Sequence, residues 1–185
     1  VARRIMYWQG YLHKTVVSAE FLIINILRKA KELVQLGEDL FCTNALKLFL
    51  QENFTLDDFN ADKGLLKAFS ELDDYDVFTC AKQWSKHSDK TLSTLCNWMI
   101  NRKLYKIKIV SDKVSESIIE DYKQKTIKEL NIPEKDTKYF VFSETIENNA
   151  YNPKEDRISI LYKDKTTRDI AEASDQLNIS SLSKP

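Results

Sequence analysis

Residues 1–36, VARRIMYWQGYLHKTVVSAEFLIINILRKAKELVQL, decide the fold. The stretch reads as one helix. Arg3, Tyr7, Tyr11 and Lys14 recur at helical spacing and share a stripe. Ile5, Trp8, Leu12 and Val16 share the opposite side, and residues 21–27 are apolar nearly all round, which predicts burial on most sides. Gly37 is the expected stop, with Arg28, Lys29 and Lys31 near the negative end of the helix dipole. A helix this long spans roughly 50 Å. It is expected to be the spine of something larger or to cross an oligomer interface.

The polar stripe supplies a bidentate phosphate binder, two phenols and a mobile cation. Such a set suits a nucleotide: charge for phosphate, ring surface and a polar tip for sugar or base.

Composition narrows the classes. The chain has 185 residues, 43% of them hydrophobic, enough for one domain or one domain with a small lobe. Its 28 basic and 28 acidic residues balance, so there is no strong nucleic-acid signal and no pull towards an anionic membrane. An anion site must therefore be local. Cys42, Cys80 and Cys96 are an odd, widely spaced set without a CxxC pair, which suggests a reducing, cytoplasmic setting rather than a disulfide framework or zinc cluster. No secretory leader or membrane span is read from the sequence. Val1 is not an initiator methionine and no capping residue precedes the helix, so the chain reads as the C-terminal part of a larger protein.

Beyond Gly37 the pattern predicts short helices over 44–51, from Thr55, over 63–71 capped by Asn60 or Asp62, over 77–86 after Asp73 and Asp74, and over 91–101 capped by Ser88 or Asp89. The period then changes to two. Residues 104–110, LYKIKIV, predict a strand with Tyr105, Ile107 and Ile109 on one face. A helix over 115–130 follows, with Ile118, Ile119, Tyr122, Ile127 and Leu130 as its inner face, ended by Pro133. Strands are expected over 139–145, 157–163 and, more briefly, 167–171, with a turn at 151–156. The expected fold class is α+β: a mainly helical N-terminal part with one long helix, then a small β-α-β-β lobe. The expected organisation is a helical region over 1–102, the lobe over 103–172 and a weakly ordered tail over 173–185.

No complete catalytic set is visible. His13 and His87 are the only histidines, and neither has a ligand partner at metal-site spacing. His13 reads as a packed or hydrogen-bonded helix residue, and His87 as a solvated connector residue. The acidic run 72–76 reads as a cap and first turn. Nucleophile elbow, Walker loop and dinucleotide fingerprint are all missing.

Three segments, in order, carry a resemblance. RRIMYWQGYLHKTVVSAE (3–20) resembles the helix that follows the metal core of HD-superfamily nucleotide phosphohydrolases, the group of dGTP and dNTP triphosphohydrolases. LDDYDVFTCAKQWSKHSDKTLSTLCNWMINRKLYK (72–106) resembles the two helices that lead into that family's R-x-L-[FY]-K strand, and YNPKEDRISILYKDKTTRDI (151–170) its N-P-x-x-x-x-[VI]-S hairpin.

The resemblance implies roles residue by residue. Arg3 matches an arginine on the terminal phosphate of the substrate. Tyr11 matches a tyrosine packed on the deoxyribose, where a ring would exclude a 2′-hydroxyl. Tyr7 stands near the phosphates; a phenol is a poor general acid at neutral pH, which leaves it a hydrogen bond. Leu12 offers a base no polar contact. His13, Lys14, Arg102 and Lys106 match residues of a nucleotide-activator site between subunits. Arg102, Lys103 and Lys106 also form a local cationic cluster in a neutral chain, which reads equally as a solvated basic turn.

The resemblance further implies a divalent metal, Mg²⁺, Mn²⁺ or similar, held by an H…HD…D set that this chain lacks. The expected function is the C-terminal part of a metal-dependent phosphohydrolase acting on deoxynucleoside triphosphates, inactive by itself. It would contribute substrate contacts, activator contacts and homo-oligomer contacts. The alternative is a non-enzymatic dimerisation or partner-binding module, in which Arg3, Tyr7 and Tyr11 are interface residues.

Overall fold

The computed structural model describes residues 10, 13–110, 114–145 and 159–169. The chain divides into two compact units, Lys14–Phe142 and a second made of Val1–His13 with Ser143–Pro185. Arg3, Tyr7, Tyr11, Ile5, Trp8 and Leu12, the turn at 151–156 and the tail at 173–185 lie outside the described residues.

The larger unit is built on α1 (Lys14–Gln35). Its buried residues are Val17, Ser18, Leu22, Asn25, Ile26, Lys29, Ala30 and Leu33, a single stripe at helical spacing. The all-round burial expected for 21–27 is found only in part: Leu22, Asn25 and Ile26 are buried, whereas Phe21, Ile23, Ile24 and Leu27 are half-buried. The helix ends as expected at Gly37, whose φ of +95° favours a residue without Cβ. The Gly37 N–H donates to Val34 O at 3.0 Å and the Glu38 N–H to Leu33 O at 3.0 Å, the paired bonds of a Schellman end.

α2 (Asn44–Gln51) packs on α1. α3 (Leu56–Ala61) opens with a capping box between Thr55 and Asp58, and α4 (Lys63–Ser70) is capped by Asp62. α5 (Asp74–Trp84) has a capping box from Asp73 and Asp76, so the acidic run is a helix start, as its sequence suggests. α6 (Lys90–Ile100) is capped by Asp89 and packs against both α1 and α5. The core joins Leu22, Ile26 and Leu33 of α1, Leu46 and Leu50 of α2, Cys80 and Trp84 of α5, and Leu92, Leu95 and Cys96 of α6. Trp84 is fully buried, and its indole N–H donates to Phe41 O at 2.8 Å, so its one polar atom is satisfied.

The β-α-β-β expectation needs correction. Residues 104–110 join no ladder among the described residues. Tertiary contacts claim this segment instead: Ser18 Oγ donates to Tyr105 O at 3.1 Å, and Tyr105 OH donates to Tyr139 O at 2.7 Å. The strand expected from Tyr139 is also missing. Tyr139 closes a 3-10 helix, Glu134–Tyr139, that follows Pro133, and Phe140 packs edge-on against Trp98 at 5.3 Å. α7 (Glu116–Leu130) forms as expected behind Ser115, and Asn131 ends it at φ +49°. However, α7 buries none of its residues, and Ile118 and Tyr122 of the expected inner face are exposed.

The second unit contains the sheet. β1 (Ser159–Leu161) pairs antiparallel with β2 (Thr167–Asp169) in the register Ser159↔Asp169, Ile160↔Arg168, Leu161↔Thr167. Asp164 turns the hairpin by accepting from Thr166 N–H at 3.0 Å and Thr166 Oγ1 at 2.7 Å. These are the last two of the expected strands, shortened. The class is therefore α+β, mostly helical, with one small antiparallel sheet among the described residues.

Gly37→Ala is expected to lower stability by about 1 kcal/mol, because alanine must adopt a left-handed backbone there. Urea denaturation checks this; an unchanged midpoint would remove Gly37 as the reason α1 stops.

Candidate functional site

One face of α1 carries polar side chains into the interior. Ser18, Asn25 and Lys29 are each at least 98% buried, and their spacing puts them on the same stripe as Leu22 and Ile26. Buried polar atoms must be matched, and each of these is tied to a distant part of the chain. The Lys29 ammonium lies 3.1 Å from Asp136 Oδ2, 3.0 Å from Glu32 Oε1 and 3.5 Å from Asp89 Oδ2. Thr91 Oγ1 donates to Asp136 Oδ2 at 2.6 Å. Tyr139 OH donates to Glu32 Oε2 at 2.6 Å, and Lys138 Nζ stands 3.0 Å from the same oxygen. Asn25 Nδ2 donates to Tyr139 O at 3.3 Å and to Tyr105 OH at 3.2 Å.

The electrostatics follow from this geometry. Burial opposes a charged Glu32, but the hydrogen bonds from Tyr139, Lys29 and Lys138 outweigh it and hold the carboxyl down at about 2. Burial likewise opposes a charged Lys29, yet Glu32, Asp136 and Asp89 hold its pKa above the ordinary lysine value. Burial pushes the Tyr105 phenol well above its usual range. Burial also raises Cys80 and pushes Cys42 and Cys96 up to about 12, so no thiolate nucleophile is on offer at neutral pH.

The same network positions part of the expected activator set. The Ser18–Tyr105 bond pins the backbone beside Lys106 one helical turn from Lys14 on α1. Lys14, Arg102 and Lys106 are exposed and belong to the Lys14–Phe142 unit. His13 is exposed, and its N–H donates to Gly10 O at 3.2 Å, within the other unit. Arg102 has an unusual backbone. The end of α6 is a second Schellman motif, with Arg102 N–H to Met99 O at 3.2 Å and Lys103 N–H to Trp98 O at 2.8 Å. Arg102 therefore occupies the position that glycine holds at the end of α1, at φ +55°. A side chain there costs about 1–2 kcal/mol, so the guanidinium stands against a local backbone preference.

Among the described residues no group of three or more His, Cys, Asp or Glu is arranged to hold a metal ion. Where Glu32, Asp89 and Asp136 converge, the space between them holds the Lys29 ammonium. His87 Nδ1 accepts from the Asp89 N–H at 3.0 Å and so helps the start of α6. The residues described thus do not fit the divalent metal that the family resemblance implies. No described helix is long and apolar enough to cross a membrane.

The geometry has a counterpart among known structures. A solved phosphohydrolase from Bacteroides thetaiotaomicron superposes with a TM-score of 0.82 and 45% identity. This chain shares that fold. The match covers 99% of the chain but 45% of the phosphohydrolase. The uncharacterised protein YwfO of Bacillus subtilis is 32% identical over 108 residues, 57% of this chain and 22% of YwfO. The chain thus spans under half the length of either relative. No family model matches it.

Sequence reasoning missed the buried lysine. Lys29 was grouped with Arg28 and Lys31 as a cation near a helix end. Its place between Ile26 and Ala30, on the apolar stripe through Leu22 and Leu33, was the signal available.

Two outcomes are expected. Glu32 is depressed from 4.5 to about 2, so its contribution is complete above pH 4.5 and is lost as pH falls towards 2. Urea midpoints of the native chain and Glu32→Gln should therefore differ most above pH 4.5 and converge towards pH 2; a constant gap would contradict the assignment. Arg102→Gly should raise stability by about 1 kcal/mol by removing the left-handed penalty, measured by the same denaturation.

Proposed function

We propose that this chain is part of an HD-type, metal-dependent phosphohydrolase acting on deoxynucleoside triphosphates. The observation that carries the reading is the likeness to the Bacteroides phosphohydrolase, 45% identical across 99% of the chain. The nucleotide class rests on the three ordered sequence segments that resemble dGTP and dNTP triphosphohydrolases.

In this reading Arg3 holds the substrate phosphate with charge-assisted bonds, each worth about 1.5–3 kcal/mol. Tyr7 adds a hydrogen bond to phosphate, and Tyr11 packs the deoxyribose. The divalent metal is held by residues outside this chain, which does not turn over substrate by itself. His13, Lys14, Arg102 and Lys106 take an activator nucleotide. The strained backbone of Arg102 supports that part, since strain of this kind gathers where a side chain is needed for binding. The three free thiols support a reducing cytoplasm as the location.

A second reading, a dimerisation or partner-binding module, is favoured by the exposed apolar side chains. Ile109, Val110, Ile118 and Tyr122 lie open near or on α7, and Leu56, Leu66 and Phe69 lie open on α3 and α4. Both readings predict a homo-oligomer, and only the first predicts that Arg3 affects turnover.

The test uses phosphate release from dGTP with Mn²⁺. The 185-residue chain should release none, and robust turnover refutes the proposed division of labour. In a protein that joins this chain to an HD metal centre, Arg3→Ala should slow release at least tenfold, the equivalent of about 1.4 kcal/mol. An unchanged rate excludes Arg3 as a phosphate ligand.

A further inference from the structure

A surface cleft of about 330 Å³ lies beside the buried lysine network, lined by Asn25, Arg28, Lys138 and Tyr139. Its four lining residues are none of those assigned above to substrate or activator. Arg28 and Asn25 sit one helical turn apart on α1, and Lys138 and Tyr139 end the 3-10 helix, so the cleft is built within one unit.

Its chemistry is specific. The exposed Arg28 guanidinium makes no ion pair or hydrogen bond among the described residues, which leaves its planar fork of donors for a ligand. Lys138 supplies a second cation, which pairs with Glu32 at 3.0 Å and lies over the Tyr139 ring. Asn25 is 2% exposed, and its Nδ2 is committed to Tyr139 O and Tyr105 OH. Those two bonds fix the amide and leave its Oδ1 without a hydrogen-bond donor among the described residues. The oxygen is nevertheless open to the cleft, since among the described residues the one buried side-chain polar atom without a partner is Thr43 Oγ1, so a ligand there can reach it. The ring of Tyr139 offers little, because the residue is buried and Lys138 Nζ already lies 4.9 Å from its centroid. The cleft therefore presents two cations and one acceptor, with no stacking surface.

We propose that this cleft binds a protonated tetrahedral oxyanion of the hydrogen-phosphate class. Arg28 takes two oxygens in its fork, and Lys138 balances the remaining charge. The P–OH donates to Asn25 Oδ1. The space accommodates the ion and a few waters. When Lys138 turns to the ion, Glu32 keeps Tyr139 and Lys29 as donors, so the buried network stays satisfied. Asn25 makes the site selective, because sulfate carries no proton at neutral pH and would set an oxygen against Oδ1.

Isothermal titration of the full chain with sodium phosphate, and separately with sodium sulfate at matched ionic strength, tests this. Saturable phosphate binding at least tenfold tighter than sulfate binding is expected. Arg28→Gln and Lys138→Gln, both at exposed positions, should each weaken phosphate binding tenfold or more while leaving the urea midpoint nearly unchanged. Glycerol phosphate as competitor separates the sources: equal competition assigns the cleft to phosphate esters, and none assigns it to the free ion. Equal affinity for sulfate and phosphate, binding that survives Arg28→Gln, or no binding at 20 mM phosphate each overturns the proposal. The assay reads binding alone, so its failure leaves the phosphohydrolase reading intact.

Discussion

The interior of the larger unit depends on one ammonium group. Lys29 is 1% exposed, and its charge has no water to lean on. Carboxylates from three separate parts of the chain compensate it: Glu32 on α1, Asp89 at the start of α6, and Asp136 in the 3-10 helix. Asp136 is the fully buried partner, and breaking a buried pair of that kind costs about 3–5 kcal/mol; Glu32 and Asp89 complete the compensation from partly exposed positions. An apolar cluster of the same volume would hold these elements together too. It would not require this particular arrangement, because hydrophobic contact is non-directional. The ion network therefore acts on register: it sets where the 3-10 helix meets α1, and Asn25 and Tyr105 extend the same constraint to the segment after α6.

That constraint reaches the exposed cations. Tyr105 is anchored twice, by its carbonyl on Ser18 and its hydroxyl on Tyr139, so Lys106 follows from a fixed backbone. Arg102 is displayed at a helix end whose backbone prefers glycine. The two Schellman ends make the contrast within a single molecule. Gly37 satisfies the geometry without cost and displays nothing; Arg102 meets the same geometry at a local cost and displays a guanidinium. Positive potential in a neutral chain is thus placed by backbone geometry rather than by composition.

Much of the helical layer was legible. Asp62, Asp73 and Asp89 cap the helices expected of them, and Thr55 opens another, because a side-chain oxygen before an apolar run satisfies orphan N–H groups locally. The two-residue period of 104–110 misled, since alternation records which side chains face inward and not whether a neighbouring strand is there. Ser18 and Tyr139 take the contacts that a ladder would have used. The apolar residues of α7 misled in the same way: Ile118 and Tyr122 form a face, but the face is open. Of the candidate site, Lys14, Arg102 and Lys106 were found as surface cations, while Arg3, Tyr7 and Tyr11 rest on sequence alone.

By itself the sequence determined what is settled within a turn or two of the backbone: the capped helix starts, the Gly37 stop and the absence of a glycine-rich phosphate loop. Only the tertiary structure decided that Lys29 is interior, that Asn25 spends its amide hydrogens on two distant residues, and that Arg28 lines the same cleft as Lys138 without an ion pair among the described residues. Capping and turn chemistry act over a few residues. A buried charge is stabilised in part by a carboxylate 107 positions away, and no local pattern says which one will arrive.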